Sequence, residues 1–344
     1  MIDLTCNYLG LKLKNPIIVG SSGLTSTIEN IKAITAQGAG AIVLKSIFEE
    51  QIKFETNAML NSTGNGMKSW QDAYDGIVSK QEYYHDEAFE YMTNYAQEHT
   101  LNHYLSFITE AKKVTDIPII ASINCVTQYD WSYFAKRIQE AGADAIELNV
   151  YLLPSDFNMT SEMYEQVYLD IIKEVKTHVS IPISLKIGHY FSSLSGFIQK
   201  LSKTGIAGLT LFNRAYNPDI DIDTLQLSST NVFSTELEYS NTLRWVAILA
   251  GKTDCDIAAS TGIHDYKAVI KQLLAGADAV QMVSVFYKKD FEIISQIKAQ
   301  IEAWMKEHNY NSIQDFKGLL SQKEAKNPSS FERVQFIRLY TSII

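Results

Sequence analysis

Four times this chain repeats one pattern, a helix-like stretch that closes in glycine and small residues and runs straight into a short apolar segment. The copies are Gly38-Ala39-Gly40 before residues 41–44, Gly142-Ala143-Asp144 before 145–148, Gly205-Ile206-Ala207 before 208–212, and Gly276-Ala277-Asp278 before 279–282. Glycine ends a helix at low cost because it enters the left-handed region freely, and the small residue after it lets a strand begin close by. The repeat is therefore a helix-to-strand joint. Several such joints imply parallel strands linked by crossover helices, which is the α/β class.

Eight runs rich in Ile, Val, Leu and Ala are present, at 16–19, 41–44, 119–123, 145–148, 183–187, 208–212, 256–259 and 279–282. Their apolarity is continuous rather than alternating, as for strands covered on both faces. Helix-like stretches at 131–141, 160–175, 194–204 and 265–274 lie between them. Eight strand and helix units predict a closed (β/α)8 TIM barrel, with a doubly wound open sheet as the alternative. No Pro/Gly/Ser-rich linker or charge block interrupts the chain, so 1–344 reads as one domain. Two connections are long: 49–100, expected to form a cap-like insertion, and 214–242. Long insertions after barrel strands project over the C-terminal face, where sites are built. Residues 291–320 alternate apolar and charged positions at helical spacing and are expected to pack outside the barrel.

Composition excludes several roles. A net charge of -9 without clustered Lys and Arg argues against a nucleic-acid partner. No signal-peptide pattern or membrane-length apolar run is present, which predicts a cytoplasmic protein with no membrane partner. Cys6, Cys125 and Cys255 are far apart, and His85, His99 and His103 show no ligand spacing, so no metal is assigned.

In a barrel, polar residues just past the carboxyl end of each strand are the first candidates for chemistry. Here these are Ser21, Ser22 and Gly23; Lys45 and Ser46; Asn124; Asn149; Lys186; Asn213 and Arg214; Ser260, Thr261 and Gly262; and Ser284. Lys45 and Lys186 both interrupt apolar runs, and two cations facing one cavity need an anion or an electron-rich ring between them. The turn at 260–262 with Ser284 offers a phosphate cradle or a plain structural turn. Together the set suits a ring-bearing, phosphorylated cofactor, and FMN meets that description.

With these residues in order, the chain resembles the dihydroorotate dehydrogenase family, and its soluble FMN-binding class 1 branch more than the membrane-associated one. The resemblance is carried by Asn15-Pro16 with Ser21-Ser22-Gly23, Lys45-Ser46, Glu147-Leu148-Asn149, Pro182-Ile183-Ser184-Leu185-Lys186, Asn213, Thr261-Gly262-Ile263, Leu274-Ala275-Gly276-Ala277 and the stretch Tyr310-Asn311-Ser312-Ile313-Gln314-Asp315-Phe316. It implies that Ser21, Ser22, Gly23, Lys45 and Ser46 line the flavin. It further implies that Asn124, Asn149 and Asn213 hydrogen-bond flavin or substrate, Lys186 faces the pyrimidine end of the ring, and Ser260, Thr261, Gly262 and Ser284 hold the phosphate. Asn61, Asn213 and Arg214 are the expected substrate contacts. A homodimer and a soluble electron acceptor are implied as well.

The pattern breaks at one place. Family members carry Ser or Cys a few residues beyond the Glu-Leu-Asn of strand four as the general base, whereas this chain has Leu152 there. A leucine takes no proton, and general-base catalysis contributes about a hundredfold to ten-thousandfold. Tyr151, Cys125 and Ser155 are the nearest substitutes in sequence, with Ser155 favoured, so Lys45, Asn149 and Ser155 form the expected catalytic set. The family's glycine-rich loop after strand six is also missing, Thr235-Glu236-Leu237-Glu238 standing near that position. The expected reaction is oxidation of dihydroorotate, or of a related compound, by hydride transfer to FMN. The alternatives are a barrel lyase using Lys186 as a Schiff base and a flavin-binding relative that does not turn over dihydroorotate.

Overall fold

The computed structural model describes residues 2–48, 87–124, 130–214, 218–229 and 232–332. Its elements in chain order are β1 (Cys6–Tyr8), β2 (Leu11–Leu13), β3 (Ile17–Val19), α1 (Ile28–Ala36), β4 (Ala41–Val43), β5 (Ile47–Phe48), α2 (Glu87–Val114), β6 (Ile119–Asn124), α3 (Asp130–Glu140), β7 (Ala145–Asn149) and α4 (Ser161–His178). They continue as β8 (Ile183–Ile187), α5 (Leu194–Ser202), β9 (Gly208–Leu211), β10 (Pro218–Asp221), β11 (Gln226–Ser229), α6 (Tyr239–Leu249), β12 (Asp256–Ser260), α7 (Tyr266–Ala275), β13 (Ala279–Met282), α8 (Ser284–Lys289) and α9 (Ile293–Glu307).

Eight parallel strands close into a ring in the order β3, β4, β6, β7, β8, β9, β12, β13 and back to β3. Closure comes from Ile42 pairing with Ile119 and Val280 pairing with Ile17. The eight expected apolar runs are these eight strands, and the open-sheet alternative falls with the closed ring. The four glycines of the repeat, Gly38, Gly142, Gly205 and Gly276, all have positive φ, as helix-to-strand joints require. The aspartates in two of those joints bind neighbouring strands: Ile119 N donates to Asp144 and Ile257 N donates to Asp278, both at 2.7 Å.

Two apolar clusters result. The larger lies between strands and helices and includes Ile42, Ile146, Leu185, Phe197, Val269 and Ile301. The smaller fills the barrel, where Ile18, Val43, Ile120, Ala145, Ala258 and Ala279 meet Tyr8, Leu9 and Leu13 of the β1–β2 hairpin. That hairpin plugs the end where the strands begin. Each leucine, isoleucine or valine buried there contributes about 1.5–3 kcal/mol. A Cβ on Gly208 would collide with Leu9 Cδ2, so the buried Leu9 side chain would have to shift to admit one.

Three features go beyond the sequence reading. A short β5 follows β4 and pairs with β6 through Ile47 and Ile123, so Lys45 and Ser46 sit between two strands. The excursion after β9 contains the antiparallel hairpin β10–β11. The 291–320 stretch is one helix, α9, which buries Ile294, Ile297, Ile301 and Met305, followed by a short turn around Ile313. Among the described residues no helix is long and apolar enough to cross a membrane.

Candidate active site

A cavity of about 380 Å³ opens at the carboxyl ends of the strands, large enough for a small organic ligand. Ser21, Ser22 and Gly23 after β3, Lys186 in β8, Asn213 and Arg214 after β9, Ser260, Thr261 and Gly262 at the end of β12 and beyond, and Ser284 at the start of α8 all line it. Strand ends far apart in sequence thus converge on one opening, as barrel closure dictates. Phe212, Val232, Phe233, Ile263, Met282 and Tyr287 supply apolar and aromatic walls.

Several of these polar groups are fixed by local bonding. Ser22 caps the turn at Gly23–Thr25 and accepts from Leu24 N. Thr261 has φ +77, unusual for a β-branched residue, and its hydroxyl donates to Phe212 O at 3.2 Å. Gly262 follows at φ +75. Ser284 Oγ accepts from Ser234 N at 3.0 Å, and Ser234 Oγ lies 3.0 Å from His264 Nε2. Burial, with Lys288 nearby, holds His264 below the usual imidazole range. Arg214 Nη1 donates to Val232 O at 2.9 Å, so Arg214 both lines the cavity and ties down one of its walls.

The other expected site residues stand apart from this lining. Ser46 is turned into the barrel wall, where its hydroxyl lies 3.0 Å from Ser21 Oγ and 2.7 Å from Ser122 Oγ. Asn149 reaches the cavity at one remove, its Oδ1 accepting from Asn213 Nδ2 at 2.6 Å. Lys45 is exposed, and Asn124 is half-buried at the end of β6. Ser155 is exposed and its hydroxyl points to Leu153 O at 3.5 Å. Leu152 packs on the large core, and its N–H donates to the Tyr168 hydroxyl at 3.3 Å. Asn61, Cys125, His85 and most of the 49–100 insertion lie outside the described residues.

Beneath the cavity is a polar network that the sequence reading missed. Glu147 in β7, 1% exposed, accepts from Thr210 Oγ1 at 2.9 Å and Gln281 Nε2 at 2.5 Å. Lys186 Nζ lies 3.9 Å from Glu147 Oε1 and donates to Gln281 Oε1 at 3.3 Å. Tyr8 Oη extends the network downward, 3.2 Å from Ser184 Oγ and 3.3 Å from Thr210 Oγ1. The anion demanded by a lysine inside an apolar run is therefore Glu147. The signal was available, since Glu147 and Gln281 interrupt their own apolar runs as Lys186 does.

A closed barrel with a mixed polar and apolar cleft at its strand ends is the arrangement in which barrel enzymes build their sites. Residues 3–305 match the family described as dihydroorotate dehydrogenase, and the chain belongs to that family. Among similar proteins are catalytic subunits of dihydroorotate dehydrogenase B (NAD(+)). The Pyrococcus abyssi protein is 26% identical over 92% of this chain and 98% of its own length. That of Thermoplasma volcanium is 24% identical over 93% and 99%. That of Caldicellulosiruptor saccharolyticus is 26% identical over 92% and 99%.

Proposed function

We propose that this chain is an FMN-dependent oxidoreductase of dihydroorotate dehydrogenase type, which removes hydrogen across a CH–CH bond of dihydroorotate or a closely related ring. The observation that carries the reading is the position of Lys186. It is a buried cation on the floor of a cleft whose rim carries serine, threonine and asparagine side chains and whose walls are aromatic and aliphatic. That donor set fits FMN, with apolar walls for a flat ring, an ammonium for its electron-rich edge and a hydroxyl-lined turn for a phosphate.

In this reading Ser21, Ser22 and Gly23 flank the ring, Lys186 faces its polar edge, and Thr261, Gly262 and Ser284 hold the phosphate. When bound, FMN supplies a hydride acceptor. Asn213, oriented by Asn149, donates its amide to ring or substrate. Val232, Phe233 and Ser234, held by Arg214 and His264, keep water from that side of the cleft. The proton lost beside the transferred hydride has no acceptor at Leu152, and Ser155 is directed at its own loop. Tyr151 and Cys125, the latter outside the described residues, are the candidates left for that proton, and without one of them turnover of dihydroorotate is slow.

The whole of 1–344 serves as one FMN-binding unit. By likeness to catalytic subunits of NAD(+)-linked enzymes, electrons pass on to a soluble acceptor; the homodimer rests on the sequence's family resemblance alone. The visible spectrum of the purified protein tests the cofactor. A colourless protein that gains no flavin absorbance with FMN overturns the proposal, whereas bleaching on anaerobic mixing with dihydroorotate supports it in full.

A further inference from the structure

Glu147 poses a question that its hydrogen bonds leave open. Oε2 is satisfied by Thr210 and Gln281, but Oε1 is buried, takes no hydrogen bond, and faces the Lys186 ammonium at 3.9 Å. A neutral amide could accept from the same donors without the desolvation that a buried carboxylate suffers. The negative charge itself therefore needs a use. Lys186 and Gln281 both line the cavity, while Glu147 does not. With its NH2 held by Glu147, the Gln281 amide has to turn its carbonyl toward Lys186, as observed at 3.3 Å. Glu147 thus acts on the cavity through two intermediaries, in a dry interior where screening is weak.

We propose that Glu147 is a positioning residue that works through Lys186 and Gln281, fixing the ammonium at the cavity floor and offsetting its charge, so that a bound flavin is biased toward its oxidised, uncharged form. The inference rests on the flavin reading above. Negative charge behind the lysine opposes the charge gained on reduction, one of the ways a protein tunes a cofactor's electronics. A carboxylate serving only to close the Tyr8, Ser184 and Thr210 network would affect stability and leave the redox balance alone.

The test is a spectrophotometric redox titration of the FMN-loaded protein and its Glu147→Gln variant at one pH. Glu147→Gln is expected to favour the reduced form at least tenfold over wild type, a midpoint about 30 mV more positive for a two-electron couple. Glu147→Asp, which keeps the charge but withdraws it from Lys186, is expected to shift the midpoint in the same direction by less, and it decides the matter if Glu147→Gln does not fold. An unchanged or more negative midpoint in either folded, flavin-loaded variant overturns the inference and leaves the flavin reading intact. Failure of the wild-type protein to take up FMN overturns both.

Discussion

Arg214 Nε donates to Glu238 Oε2 at 2.8 Å, and because the same guanidinium also holds Val232 O, one side chain clamps both ends of the segment that walls the cavity. Glu238 accepts a second bond, from Thr235 N at 2.6 Å, which closes the turn before α6. The missing glycine-rich loop is thus replaced by a segment held by charge.

Arg214→Gln should release that segment. Hydrogen bonds to charged groups contribute about 1.5–3 kcal/mol, and part of that loss would appear as faster ligand escape. We expect FMN affinity to fall about tenfold, equivalent to about 1.4 kcal/mol, with circular dichroism unchanged. Fluorescence titration of the flavin-free protein measures it, and equal affinities would show that the clamp has no part in binding.

The same pair sets an acid limit. Burial raises the Glu238 pKa, but the bonds from Arg214 and Thr235 outweigh it and hold the carboxyl below its usual range. A depressed folded-state pKa means stability that is complete above the ordinary glutamate value of about 4.3 and is lost as pH falls through the lower, folded value. Limited proteolysis of the 232–238 segment should therefore be flat from about pH 8 down to pH 5 and accelerate only below about pH 4. Acceleration near pH 6 would implicate a histidine instead, with His264 the nearest.

Much of this was legible in the chain. The glycine joints announced the barrel because positive φ is a local demand, readable residue by residue, and the eight apolar runs became its eight strands. Strand-end polar residues announced the cavity because closure places all carboxyl ends on one rim. Glu147, Gln281 and Thr210 escaped because their partners lie on other strands, so only barrel closure brings them together. Ser155 lies close to Leu152 in sequence, but the chain turns outward at Leu153 and leaves its hydroxyl at the surface.

Gly262→Ala tests the cradle. A Cβ there would collide with the Tyr239 backbone nitrogen and come within 2.8 Å of the Glu238 carbonyl carbon, at φ +75. Neither neighbour is a flexible side chain, so the turn itself must move. A loss of about 2–4 kcal/mol in denaturant unfolding is expected, together with weaker FMN retention. A loss under about 1 kcal/mol would mean the turn adjusts freely.

Leu152→Ser tests the absent base. The backbone at this position is already anchored by the Tyr168 phenol, which burial pushes up to about 12, so it stays neutral and able to accept from the Leu152 N–H. A hydroxyl supplied on a fixed backbone should recover part of the hundredfold to ten-thousandfold that a positioned base contributes. At least about a tenfold faster flavin reduction by dihydroorotate is expected in anaerobic stopped flow. No gain would mean that position 152, which stands outside the cavity lining, is not the base position, or that the substrate is a different ring.

Lys186→Ala separates binding from stability. The lysine is 8% exposed and Glu147 1%, so truncation leaves a carboxylate in the barrel with no counter-charge. Removing one partner of a buried pair costs about 3–5 kcal/mol, whereas replacing both by apolar groups of similar size is often neutral. Lys186→Ala should therefore unfold at much lower urea than wild type, and the double variant Glu147→Leu with Lys186→Met should regain most of that stability. Both should hold FMN poorly, because the cation is gone in each. If the double variant were as unstable as the single one, the 3.9 Å pairing would not be what stabilises the barrel floor, and the hydroxyl network running down to Tyr8 would have to be.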